Sequence, residues 1–211
     1  RFVFALVLEP IKQDLGLTDS QLGLMTGIAF AAFYALAGLP IARWADRGNR
    51  VTISSLAVAI VGIMVSLCGV ATSFFQLLVI RSGVAVGEAG GLPAAQSMIA
   101  DYFGRADRPQ AMAIYMMAYP ISMIVGYLCG GWLVDEFGWR HTFMLVGLPG
   151  IFMAVLVKLT LKEPRLKQPD YTYKDQISLT SALEILWRIK SFRHILISFC
   201  LTYFFFMGSS Q

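Results

Sequence analysis

Residues 74–103, FFQLLVIRSGVAVGEAGGLPAAQSMIADYF, form an apolar run with two charges deep inside it, Arg81 and Glu88. At about 1.5 Å of rise per residue the run is long enough to cross a hydrocarbon core of about 30 Å as one helix. Arg81 and Glu88 are seven positions apart, which puts them on one helical face about 10 Å apart along the axis. Glu88 falls close to the middle of the run. A charge at that depth is costly in lipid, so the residue is expected to face a protein interior or a water-filled cavity. Gly83, Gly87 and Gly91 recur every four residues, a spacing that lets a neighbouring helix approach the backbone closely.

The rest of the chain repeats this apolar character. It is 57% hydrophobic and only 14% charged, with a mean hydropathy of +0.65, whereas soluble domains are about a quarter charged. The run at residues 1–8 is too short to span and reads as the end of a helix. Residues 9–20 read as a polar loop ending in Thr18-x-x-Gln21, a capping-box pattern. Further spans are expected at about 21–42, 51–71, 110–134 and 142–161, the fifth of the six segments interrupted by Pro120. Asp107 and Pro109 are placed as a helix start. Residues 181–190 are amphipathic and suited to the membrane surface, and residues 195–207 begin a seventh span. The chain reads as a piece of a longer protein.

Lys and Arg orient this layout. The turns after the second, fourth and sixth segments hold Arg43, Arg47, Arg50, Arg105, Arg108, Lys158, Lys162, Arg165, Lys167, Lys174, Arg188, Lys190 and Arg193. The opposite turns hold only Lys12 and Arg140. The even-numbered turns are therefore expected in the cytoplasm, and the net charge of +4 is a topology signal rather than a sign of nucleic-acid binding. Cys68, Cys129 and Cys200 lie in apolar runs without metal-ligand spacing and read as packing residues. No Gly-rich phosphate loop, nucleophile–base set or metal cluster is apparent, so the sequence points to no enzyme, cofactor or metal.

Six spans, a long cytoplasmic loop and a new span match half of a twelve-helix transporter, in which each half contains two inverted three-helix repeats. The expected fold is an all-α membrane protein. Residues 1–161 form the amino-terminal six-helix bundle, truncated in helix 1, residues 162–194 a cytoplasmic linker with an interfacial helix, and residues 195–211 the start of helix 7. Ala42-Arg43-Trp44-Ala45-Asp46-Arg47-Gly48-Asn49-Arg50 resembles the cytoplasmic signature of the major facilitator superfamily between its second and third helices. Gly38-Leu39-Pro40-Ile41, Arg81-x-Gly83-x-x-x-Gly87-Glu88-Ala89 and Ile99-Ala100-Asp101-Tyr102-Phe103 resemble the spinster-like branch more specifically.

That resemblance implies transport by alternating access, driven by protons, with a bacterial inner-membrane location. The substrate class it suggests is an amphipathic or anionic solute such as a lysolipid or sphingoid phosphate. A drug exporter or organic-anion symporter of the same superfamily is the alternative. By position, Arg1, Arg81 and Glu88 match the family's protonation and headgroup-binding residues, with Glu88 as the proton-coupling group. Tyr115 and Tyr119 are candidates to line the cavity or to pack against lipid. Asp46, Arg47, Arg50 and Asp101 match a cytoplasmic gate. Basic residues there also set topology, but the acids among them add nothing to it, and Asp101 is close enough in this layout to pair with Arg50 or Arg47. The expected partners are substrate, protons, membrane lipids and the carboxy-terminal half of the same protein.

Overall fold

The structure, a computed structural model, describes residues 2–167 and 179–209. Arg1, residues 168–178 and residues 210–211 lie outside the described residues, and so does the side chain of Leu183. Among the described residues every regular element is helical. The chain divides into two units, Arg1–Pro169 and Asp170–Gln211.

The first unit opens with two short helices, α1 (Phe2–Leu6) and α2 (Leu8–Leu15). The stretch expected as a polar loop is thus partly helical, and α2 ends at Gly16 in the left-handed region, φ 61°. Helix α3 (Asp19–Arg47) starts at Thr18 with both bonds of the expected capping box: Thr18 N–H donates to Gln21 Oε1 at 2.9 Å, and Gln21 N–H to Thr18 Oγ1 at 3.3 Å. It contains one π-helical turn, Leu24–Ile28. Helix α4 (Arg50–Cys68) is capped by Asn49, whose Oδ1 accepts from the Thr52 N–H at 3.0 Å. Helix α5 (Phe74–Tyr102) is the expected central span, capped by Ser73.

Helix α6 (Arg108–Thr160) is too long for one crossing. Its only non-helical backbone is at Gly138 (φ 72°, ψ 167°), which splits it into limbs 108–137 and 139–160. These are the expected fifth and sixth segments. The chain breaks at this glycine rather than at Pro120, through which the helix continues. Proline removes one backbone hydrogen bond but keeps a helical φ, whereas the positive φ at Gly138 is open mainly to glycine. Asp107 precedes α6 without a side-chain cap bond.

Helix α4 packs between α5 and α6, with α3 against the other side of α5. Glycines set the closest approaches. A Cβ at Gly147 would lie 2.5 Å from Gly62 O and 2.1 Å from Ser66 Oγ, and one at Gly62 would lie 2.8 Å from Ile151 N. Here the second limb of α6 crosses α4 backbone to backbone. The α5 glycines divide differently from their spacing. Gly83 and Gly87 face Met64 and Val61 of α4, Gly90 faces Ile41 of α3, and Gly91 has open space.

In the second unit α7 (Leu179–Arg188) leaves Ile185, Leu186 and Trp187 exposed, with Glu184 and Arg188 paired at 3.1 Å. Helix α8 (Lys190–Ser209) covers the expected start of a seventh span.

Candidate functional site

Helices α1, α3, α4, α5 and α6 line an open cavity of about 630 Å³. Most of its wall is apolar, from Phe4, Val58, Val61, Val65 and Phe143 among others, and the polar groups facing it include Tyr34, Arg81, Glu88, Tyr119 and Ser122. Glu88 lies midway between the ends of α5. The mid-helix acid is therefore half-buried on the wall of a cavity rather than turned wholly outward.

Arg81 lies on the same wall two turns away, with only 6% of its surface exposed. Its guanidinium carbon sits 3.9 Å from the centroid of the Phe4 ring and 5.1 Å from that of Phe30. The cavity thus combines an apolar chamber, one buried cation and one carboxyl on a single helix face.

The candidate residues named from the sequence separate into groups. Arg81, Glu88 and Tyr119 share the cavity, while Tyr115 lines a different groove with Ile99, Phe103 and Asp107. Arg1 lies outside the described residues. Tyr34 and Ser122 are cavity residues that no sequence motif singles out. Tyr34 is four positions from Phe30, and the two rings stack at 6.4 Å, so the helical spacing of these aromatics is the available signal.

A second cluster closes one end of the bundle. Arg50, whose side chain is 1% exposed, pairs with Asp101 at 2.7 Å and with Glu163 at 2.6 Å. Glu163 Oε2 also accepts from the Arg50 backbone N–H at 2.6 Å, so the carboxylate caps the start of α4, where the helix dipole favours an anion. Arg50 further donates to Ser97 Oγ at 2.8 Å. Arg165 lies 3.6 Å from Asp101 and donates to the Asp46 carbonyl at 3.1 Å. Asp46 and Arg47 themselves stand on the exposed rim. Burial pushes the Glu163 carboxyl up, but hydrogen bonds from the Arg50 side chain and from the Arg50 and Arg165 backbones outweigh it. They hold this carboxyl below the usual range.

Glu163 and Arg165 join this cluster without having been singled out by sequence, because they fall just beyond the last span in a stretch without regular periodicity. Glu163 is nonetheless an acid among Lys158, Lys162, Arg165 and Lys167, the same pattern that singles out Asp101. The pairing of Arg50 with Asp101 and Glu163 gathers the turns after the second, fourth and sixth segments at one end. At the other end Arg140 joins the opposite turns. It donates to Ala71 O at 2.6 Å and to Asp14 Oδ2 at 2.8 Å. The two sets of turns are therefore separated as the Lys and Arg distribution requires.

Comparison with known proteins gives a consistent result. The model of the family described as Major Facilitator Superfamily matches residues 1–211. A bacterial homologue of the human lysosomal transporter spinster, crystallised in an inward-facing and occupied conformation, is 42% identical with a TM-score of 0.66. The match covers 77% of this chain and 41% of that one. An MFS-type efflux pump of Mycolicibacterium smegmatis is 37% identical over 76% of this chain and 38% of its own length. Protein spinster homolog 1 of Xenopus tropicalis is 29% identical over 78% of this chain and 32% of its own length. The chain thus spans about two fifths or less of each of these three proteins.

Proposed function

The chain belongs to the major facilitator superfamily, in its spinster-like branch, and from that premise we propose that it forms the amino-terminal half of a proton-coupled carrier working by alternating access. It is an integral, multi-pass membrane protein of the bacterial inner-membrane type. The observation that carries the proposal is that Glu88, at mid-helix depth, opens onto the same cavity as buried Arg81.

The physical logic follows from that placement. A carboxyl on the wall of a cavity that also holds a buried cation is placed to exchange a proton and to respond to an anionic cargo. Opening the cavity to one side and then to the other exchanges the proton and the cargo with each compartment. The apolar wall suits an acyl chain or comparable hydrophobic body, and Arg81 suits an anionic head. The cargo is therefore an amphipathic anion, with a lysolipid or a sphingoid phosphate as the type. The Arg50 cluster is the cytoplasmic gate: Arg50, Asp101 and Glu163 tie the ends of the helices of this half together, and Asp46 and Arg47 stand on the exposed rim beside them.

A second reading, an exporter of the same superfamily with a different cargo, is supported by the likeness to the Mycolicibacterium smegmatis efflux pump. The two readings separate by cargo. Full-length protein reconstituted in liposomes is expected to bind and move a single-chain anionic lysophospholipid saturably, in competition with other single-chain anions. Transport confined to lipophilic cations, or to compact hydrophilic acids, would overturn the assignment.

A further inference from the structure

We propose that Gly91 sets the size of the cargo that the cavity accepts: the side chain missing at this position of α5 is space kept for the apolar tail. Residue 91 is then a specificity-determining position. The inference rests on the reading of the cavity as the cargo chamber.

Its starting point is a glycine that helix packing does not explain. Glycine is a poorer helix former than every residue but proline, so inside a helix it is expected to serve an unusual backbone conformation, a close approach of backbones or a ligand. Gly91 lies within the continuous helix Phe74–Tyr102 and has no positive φ. Close approach does account for other glycines on the same cavity. A Cβ at Gly87 would lie 2.8 Å from Val61 Cγ2 and 3.1 Å from Ala57 O, and Gly62 and Gly147 meet backbone to backbone. At Gly91 a Cβ meets nothing within 4 Å among the described residues, yet the residue lines the cavity.

The position gives that space a defined place. Gly91 follows Glu88 by three residues, about one helical turn further along the wall. Val58, Val61, Leu92 and Val146 line the same cavity, and such side chains select by volume and shape rather than by hydrogen bonding. Each carbon added at position 91 takes room from a chamber of about 630 Å³. A single methylene of misfit in a hydrophobic pocket changes discrimination by about tenfold or more. A side chain here should therefore act on the tail of an amphipathic cargo, in proportion to its length.

The experiment measures uptake by full-length protein in proteoliposomes, with octanoyl, lauroyl, palmitoyl and stearoyl lysophosphatidates as probes that share one headgroup. KM for the stearoyl probe should rise about tenfold in Gly91→Leu and further in Gly91→Phe, and the rise should shrink with each shorter chain. The thermal midpoint of Gly91→Ala should hold or increase, whereas that of Gly87→Ala, whose Cβ presses on Val61, should fall. Wild-type protein that takes up no probe saturably refutes the cargo reading, and this inference with it. A midpoint that falls in Gly91→Ala as far as in Gly87→Ala assigns the glycine to a close helix contact. A KM rise that is equal at every chain length, or absent, removes residue 91 from size selection. Either of these last two results overturns the inference while the cargo reading stands.

Discussion

Replacing Glu88 by Gln in the full-length protein is expected to reduce pH-gradient-driven accumulation of cargo to the level set by passive leak, while exchange of cargo across the membrane continues. Glutamine keeps the volume and hydrogen-bonding capacity of the side chain but cannot take up and release a proton. Glu88 sits on the cavity wall at the midpoint of α5, two turns from Arg81 on the same wall. Removing titration should separate cargo movement from proton movement without blocking either conformational step. Measuring uptake under an imposed pH gradient alongside counterflow in its absence checks both halves. Equal loss of uptake and counterflow would assign Glu88 a structural role, and an unchanged pH dependence of uptake would remove it from coupling altogether.

The second large effect is expected at Arg50. Its side chain is 1% exposed, and its main partner, Glu163, is 3% exposed. Arg50→Ala leaves the Glu163 carboxylate buried without its cation, a change that typically costs about 3–5 kcal/mol. A marked fall in thermal stability and turnover should follow. Replacing both residues by Met removes the stranded Glu163 charge, so the double variant should be more stable than Arg50→Ala, although it loses the Glu163 cap on α4 and leaves Asp101 to Arg165 alone. If the cluster is the proposed gate, turnover should stay low, because the paired groups are gone.

The same pair has a pH signature. The Glu163 carboxyl is held below its usual value in the folded protein, so its contribution is fully present above the unfolded carboxylate pKa of about 4.3. It is lost as pH falls through the lower folded value. Stability of the wild type should therefore decline below about pH 4.3 more steeply than that of the double variant. A single Ala variant that melts with the wild type, or a double variant that transports normally, would remove Arg50 and Glu163 from the gate.

Much of the bundle is legible from hydrophobicity and charge because the bilayer imposes length and internal hydrogen bonding on each span. The apolar run around Glu88 emerges as one helix, Phe74–Tyr102. The excess of Lys and Arg in alternate turns implies that the turns around Arg50, Asp101 and Glu163 gather at one end, where these three residues meet.

What escapes the sequence depends on tertiary context. Periodicity groups Gly91 with Gly83 and Gly87, although only the latter two meet α4. A four-residue step advances about 400° around a helix, so such a stripe drifts off a straight neighbour. Pro120 marks a break in the sequence pattern of the fifth segment, but its ring is compatible with helical φ, and the turn needs the positive φ of Gly138. The approach of Arg81 to Phe4 and Phe30 is invisible for a different reason. Phe4, Phe30 and Arg81 come from three separate helices, and no spacing within one helix encodes their meeting.

Carrier function requires that the α5 wall around Glu88 border a hydrated passage open in turn to either side. Gly91 lines that cavity, and a Cβ there meets nothing within 4 Å, so a cysteine fits without disturbing the packing. Gly91→Cys, in full-length protein whose native cysteines have been replaced, can be treated with a membrane-impermeant thiol reagent from each face of the membrane separately. Labelling from both faces, with protection by bound cargo, is the expected result. Reaction from neither face, with labelling only by a lipid-soluble reagent, would place this wall against acyl chains and contradict the carrier mechanism.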